Sequence, residues 1–178
     1  MYKHKKSIFI TIILLSLVLI SCVSLYTSAH SLSVTTYQVQ YNDLSSSLRI
    51  LQLTDLHNSE FGTHNSRLIN SVRAQSPDLI LLTGDLLNSN EQRTDIATNL
   101  ITQFCDIAPV YCSNGNHEIE YQENYGVDVD ELYRKAGAVV LEKQYQDITV
   151  NDQKVRLGGI YGYCLPGKYL ETGEADQE

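Results

Sequence analysis

Residues 77–88 read PDLILLTGDLLN. An apolar run, Leu79 to Leu82, follows a proline and stops at Thr-Gly-Asp. A run of that length between punctuating residues reads as a buried strand. The same unit recurs on both sides. Upstream, LRILQL (48–53) ends in TDLHNSEFG; downstream, VYC (110–112) ends in SNGNHE. Between the runs lie two stripes of helical spacing. Leu68, Ile69 and Val72 precede Pro77, and Ile96, Leu100, Ile101 and Phe104 precede Pro109. Strand, helix, strand, helix, strand implies right-handed crossovers and a mainly parallel sheet, an α/β fold. Farther on, VDELYRKA (129–136) reads as a helix ended by Gly137. AVVLE, YQDITV and KVRLGGIYG read as strands, the last two joined by a hairpin through Asn151 and Asp152.

Each of the first three strands delivers a polar cluster at its C-terminal end, the edge at which parallel sheets bind ligands. The clusters hold Asp55 and His57, then Asp85, then Asn116 and His117. Asp85 lies 30 residues after Asp55, and Asn116 lies 31 after Asp85. That is one strand–helix repeat each time, so the clusters are expected side by side on one rim. Taken singly each is an ordinary polar turn or helix cap. Together they offer carboxylate, imidazole and amide donors, a set that suits a pair of divalent cations such as Mn, Fe or Zn. Gly84 and Gly115 are placed to let the backbone turn sharply beside a ligand.

The blocks DLH, GDLLN and GNHE resemble the first three signature blocks of the calcineurin-like metallophosphoesterases. The wider phrasing LRILQLTDLHNSEFG is similar to a membrane-anchored bacterial subgroup. The resemblance covers residues 48 to about 163. It implies a sandwich of two mixed sheets flanked by helices, and it implies roles. Asp55 and His57 would bind a first metal, Asp85 would bridge two, and Asn116 would bind the second. His117 would protonate the leaving oxygen or stabilise the transition state. Glu118 would orient its loop, and Asn58 would sit beside the site. The family also supplies three later histidines, whereas here the histidines are His4, His30, His57, His64 and His117. The expectation is a chain incomplete at its C-terminus.

The N-terminus adds a second element. Lys3, Lys5 and Lys6 precede an uncharged stretch that is strongly apolar from Ile8 to Ile20, and the next charge is Asp43. This reads as a membrane anchor or signal segment over residues 1–26, with a linker over 27–47 and the domain over 48–178. Val34–Val39 within that linker has the alternation of a strand. Lysines stay on the cytoplasmic side, so the domain is expected outside the cell. An uncleaved anchor is favoured; LISC (19–22) resembles a lipobox and makes a lipidated Cys22 the other option. Residues 23–178 carry 10 basic and 21 acidic side chains, a formal charge of −11. Such a surface repels phosphate backbones, which argues against nucleic acid as a partner. Cys105 and Cys112 read as free thiols, with a disulfide as the lesser option. The leading expectation is a phosphoesterase acting on a small or lipid-linked phosphoester. The alternative is a non-catalytic surface binding module on the same fold.

Overall fold

The computed structural model describes residues 2–40 and 46–160; of residues 2–10, 26 and 28–30 only the backbone is described. The chain divides into two units, residues 1–38 and 39–178.

The first unit contains helix α1, Tyr2–His30, 29 residues long. Its described apolar side chains, among them Ile12, Leu14, Leu15, Val18, Leu19 and Ile20, are all exposed. Four consecutive apolar residues, Ile12 to Leu15, point in directions about 100° apart, so the helix is apolar all round rather than on one face. Among the described residues no helix is long and apolar enough to cross a membrane, so a transmembrane helix over residues 1–26 is not supported. Two boundaries also move. The helix runs past residue 26 to His30, and Val34–Val39 is irregular and exposed, not a strand. Alternation alone did not make a strand there, because residues 34–39 pair with no strand among the described residues.

The second unit is built on a four-stranded parallel sheet in the order β1-β2-β3-β4. The strands are β1 (Ile50–Leu53), β2 (Leu79–Thr83), β3 (Val110–Ser113) and β4 (Val139–Val140). Helices α2 (Ser66–Ala74) and α3 (Asp95–Cys105) make the first two crossovers; α4 (Asn116–Tyr125) and α5 (Val129–Lys135) make the third. The central strand is β2, and Leu79, Ile80 and Leu82 are at most 1% exposed. Against the sheet pack the predicted stripes of α2 (Leu68, Ile69, Val72) and α3 (Ile96, Leu100, Ile101, Phe104), all buried. Each large side chain so buried contributes about 1.5–3 kcal/mol.

Strands β5 (Gln144–Val150) and β6 (Gln153–Gly159) form the predicted antiparallel hairpin. Its turn residues, Asn151 and Asp152, have φ of 48° and 60°. Two successive left-handed residues match the twist of the strands they join. Among the described residues neither sheet is mixed: one is wholly parallel and the other is this hairpin. The expectation of two mixed sheets is corrected to that extent. The described cysteines, Cys22, Cys105 and Cys112, are free thiols. Burial pushes the Cys112 thiol far up, which keeps it protonated and inert.

Helix α4 was not legible as a helix. Its sequence, NHEIEYQENY, lacks an apolar stripe. What it buries is Glu118 and Tyr121, three residues apart on one face. Gly126, at φ 65°, ends it, and the Asp128 side chain caps α5 by accepting from the Glu131 N–H at 2.8 Å.

One carboxylate ties the start of the sheet to the hairpin. Asp78 accepts from the Arg49 N–H at 2.7 Å and from the Asn151 side-chain amide at 2.7 Å. These donors, Arg49 first, hold its carboxyl below the usual range. A depressed folded value contributes stability that is present above the unfolded value, about 4, and is lost as pH falls through the folded one. Asp78→Ala is therefore expected to melt below the parent at pH 7, with the gap narrowing as pH falls below the ordinary carboxylate range. Thermal melts of both proteins across that range check it.

Candidate metal centre

The register of the parallel sheet sets the rim. Leu53 pairs with Leu82, Leu82 with Cys112, and Cys112 with Val140. The three polar loops therefore start level with one another. The first two are zipped together beyond the strands. The N–H groups of Asp55, His57 and Asn58 donate to the carbonyls of Gly84, Asp85 and Leu86 at 3.2, 2.9 and 2.8 Å. This pairing holds four non-glycine residues in the left-handed region: Asp55 (φ 55°), His57 (46°), Asn58 (57°) and Asp85 (55°). Such conformations persist where surrounding bonds over-determine them, and they cluster at functional sites.

The second and third loops are joined by Glu118. This side chain is fully buried. Its Oε2 accepts from the N–H groups of Asp85 at 2.7 Å and Gly115 at 2.8 Å. Its Oε1 accepts from Leu86 at 2.8 Å, Leu87 at 3.1 Å and the Tyr133 hydroxyl at 2.9 Å. The contact leaves no room for side chains on the facing glycines. A Cβ on Gly84 would lie 2.7 Å from the Gly115 Cα, and one on Gly115 would run into Asp85 Oδ1. The two glycines thus serve the approach of one loop to another, beyond the sharp turn expected beside a ligand. Gly84 also sits at φ 90°.

The result is a convergence of donors. One ligand atom each from His57, Asp85 and His117 lies within 4.8 Å of the others. Their rings and carboxylate are half-buried. The imidazoles of His57 and His117 meet edge to face, centroids 4.3 Å apart. Asp55 Oδ1 stands 3.8 Å from His57 Nε2, and its other oxygen accepts from the Thr54 hydroxyl at 2.7 Å. Asp85 Oδ1 accepts from the His117 backbone N–H at 2.9 Å. Of the predicted residues, His57, Asp85 and His117 form one cluster and Asp55 flanks it through His57. Asn116 is the first residue of α4, half-buried and next to His117. Asn58 turns the other way: its amide donates to Glu91 Oε2 at 3.3 Å and to the Arg93 carbonyl at 3.2 Å.

Two contacts lay outside the sequence reading. Ser89 donates its backbone N–H to His117 Nδ1 at 3.2 Å, and its hydroxyl to Glu120 at 2.8 Å. With Nδ1 accepting, the neutral imidazole carries its proton on Nε2. Tyr133 was read only as part of a helix. Neither residue lies in a cluster, so nothing in the local sequence marks it.

Donors of this kind suit borderline divalent cations: one carboxylate with two oxygens beside the His57 imidazole and a second carboxylate, with the His117 imidazole at hand for a substrate. If the loops must meet as they do, Gly115→Ala is expected to lower the melting temperature and abolish Mn binding measured by calorimetry. Gly126→Ala is the contrast. There the added methyl meets nothing within 4 Å, and only the left-handed φ of 65° opposes it. That variant should lose about 1 kcal/mol and bind Mn normally.

The calcineurin-like phosphoesterase family profile matches residues 48–177. An uncharacterized metallophosphoesterase of Campylobacter jejuni, Cj0846, is 27% identical over 140 residues, taking in 75% of this chain and 37% of its own. The uncharacterized metallophosphoesterase YkoQ of Bacillus subtilis is 26% identical over 135 residues, 71% of this chain and 50% of its own. The chain thus spans half or less of the length of these relatives. With the parallel sheet, the three rim loops and the donor cluster on the same residues, the chain belongs to the calcineurin-like phosphoesterase family.

Proposed function

We propose that this protein is a metal-dependent phosphoesterase acting on a small or lipid-linked phosphomonoester or phosphodiester. The observation that carries the reading is the convergence of His57, Asp85 and His117 within 4.8 Å, on loops locked together by buried hydrogen bonds. Asp55, His57 and Asp85 would hold one divalent cation, and Asp85 with Asn116 a second. When bound, the cations supply positive charge for the phosphate and an acidified water. The chain's own residues do the rest. Asp85 can serve both ions because it has two oxygens, and its backbone is pinned by Glu118. His117, with its proton on Nε2 and Ser89 on Nδ1, is set to donate a hydrogen bond toward the cluster. That geometry favours charge stabilisation at the leaving oxygen over full proton transfer, since losing Nε2–H would leave an imidazolate.

Asp85→Asn is expected to lose both Mn binding and hydrolysis of a p-nitrophenyl phosphodiester. Asn116→Ala should lose less of each. His117→Gln should keep the metal and slow turnover by about 10²- to 10³-fold, the usual effect of removing one such donor. Near-normal Mn binding and turnover in Asp85→Asn would remove the two-cation reading. A parent protein that binds Mn but hydrolyses no phosphoester would instead favour the non-catalytic surface module.

We also propose that residues 1–26 hold the protein at the outer face of a membrane. The support is the Lys3, Lys5 and Lys6 flank, the uncharged stretch up to Asp43, and the apolar, exposed circumference of α1 from Ile12 to Leu25. Carbonate washing of isolated membranes should leave the protein in the pellet, and protease added to intact cells should digest the domain. Recovery in the wash, protected from protease, would overturn this. A diacylglyceryl mass shift that disappears in Cys22→Ala would assign the attachment to lipid.

A further inference from the structure

Glu118 holds two site loops together, but four of its five donors belong to those same loops. Asp85, Leu86 and Leu87 are in the second loop, and Gly115 is in the third. Bonds among the parts being positioned fix them relative to one another and leave the pair free to shift as a body. The fifth donor differs. Tyr133 comes from α5, and its hydroxyl reaches Glu118 Oε1 at 2.9 Å inside the core. Both ends of that bond are fully buried. Burial first, and the neighbouring Glu118 next, push the Tyr133 hydroxyl well up, so it remains a donor.

A second bond runs from the same helix to the other end of the loop. The Asn114 side-chain amide donates to Asp130 Oδ1 at 2.6 Å, and Asn114 is only 6% exposed. Asp130 and Tyr133 lie three residues apart, on one face of α5. They grip Asn114 and Glu118, which bracket Gly115, Asn116 and His117. The helix is itself fixed: Val129 is fully buried, and Asp128 caps its first turn.

We propose that α5 is the positioning element of the site, with Tyr133 and Asp130 as positioning residues that anchor the joined loops, and with them Asn116 and His117, to the body of the domain. Neither residue touches the donor cluster; each acts through a residue of the GNHE loop. The proposal rests on the reading of Asn116 and His117 as working residues.

The test uses the full chain in detergent micelles. Tyr133→Phe removes one oxygen; Asp130→Ala, at a half-buried position, releases Asn114 with less risk to folding. Ile101→Val, in the core on α3, serves as a variant that only destabilises. The first readout is the nitrogen-15 imidazole spectrum of His117, identified by its absence in His117→Gln. The second is kcat and KM on a p-nitrophenyl phosphodiester with Mn. Both α5 variants should shift or broaden the His117 signals. They should lower kcat about 10-fold with KM within about 2-fold, as supporting residues typically do. Ile101→Val should change neither. Unmoved His117 signals in both α5 variants, or equal changes in Ile101→Val, would overturn the proposal. If the parent itself hydrolyses nothing, the phosphoesterase reading fails, and the imidazole spectrum alone still decides the positioning role.

Discussion

A single buried carboxylate carries the geometry of this site. Glu118 accepts five hydrogen bonds from three segments of the chain. Removing it would strand four backbone donors, three of them in the Asp85 loop. An unmet buried donor costs about 1–3 kcal/mol, so the loss would rival the whole stability of a typical domain. That is a strong constraint on the sequence. It asks for a residue long enough to reach from the first turn of α4 across to the Asp85 loop, with two acceptor oxygens and no donor. Only glutamate meets all of these conditions, since aspartate is shorter and glutamine would present an N–H to a donor.

The left-handed residues follow from that constraint. Asp85 sits at φ 55° because its N–H must turn in toward Glu118 while its carbonyl turns out to the His57 N–H. The first loop copies the second through three backbone bonds and takes the same strained conformation at Asp55, His57 and Asn58. Strain of this kind costs of order 1–3 kcal/mol per residue. It is offset by the sheet beneath, in whose inner strand β2 Leu79, Ile80 and Leu82 are buried. The donor cluster is therefore preorganised by backbone bonds, not by contacts among the donors themselves.

The elements with an apolar signature were legible in the sequence. Strands β2 and β3 and the stripes of α2 and α3 bury what the pattern says they bury, whereas β1 and the β5–β6 hairpin form where the pattern places them but leave Ile50 and Tyr145 exposed. The rim residues were legible because strand ends in a parallel sheet are level, and a one-repeat spacing carries over into space. Two kinds of feature were not. Helix α4 has no apolar stripe, since the face it buries is a carboxylate and a tyrosine, so periodicity passed over it. Val34–Val39 has the alternation of a strand but pairs with no strand among the described residues, and alternation states only which face would be buried against a partner. Ser89 and Tyr133 escaped for a third reason. Their contacts to His117 and Glu118 span 28 and 15 residues, and a contact at that range leaves no local mark.

Charge gives the last step. The chain from residue 23 onward carries a formal −11, and two of its carboxylates, Asp55 and Asp85, stand at the cluster. A phosphoester approaching that surface is repelled. On the proposed reading, cations bound at the rim would reverse the sign of the field locally, where the three loops meet. On the proposed reading, the metals then do two things: they serve the chemistry, and they make the rim the one acceptable landing place for a phosphate. An acidic surface with a cationic point in it selects for a substrate whose charge is compact. A single phosphoryl group can sit wholly within that point. A polyanion such as nucleic acid cannot, because its neighbouring phosphates would still lie over acidic surface. On the proposed reading, the same charge balance that argues against nucleic acid favours a small phosphoester, or one whose remainder is uncharged, as a lipid tail is.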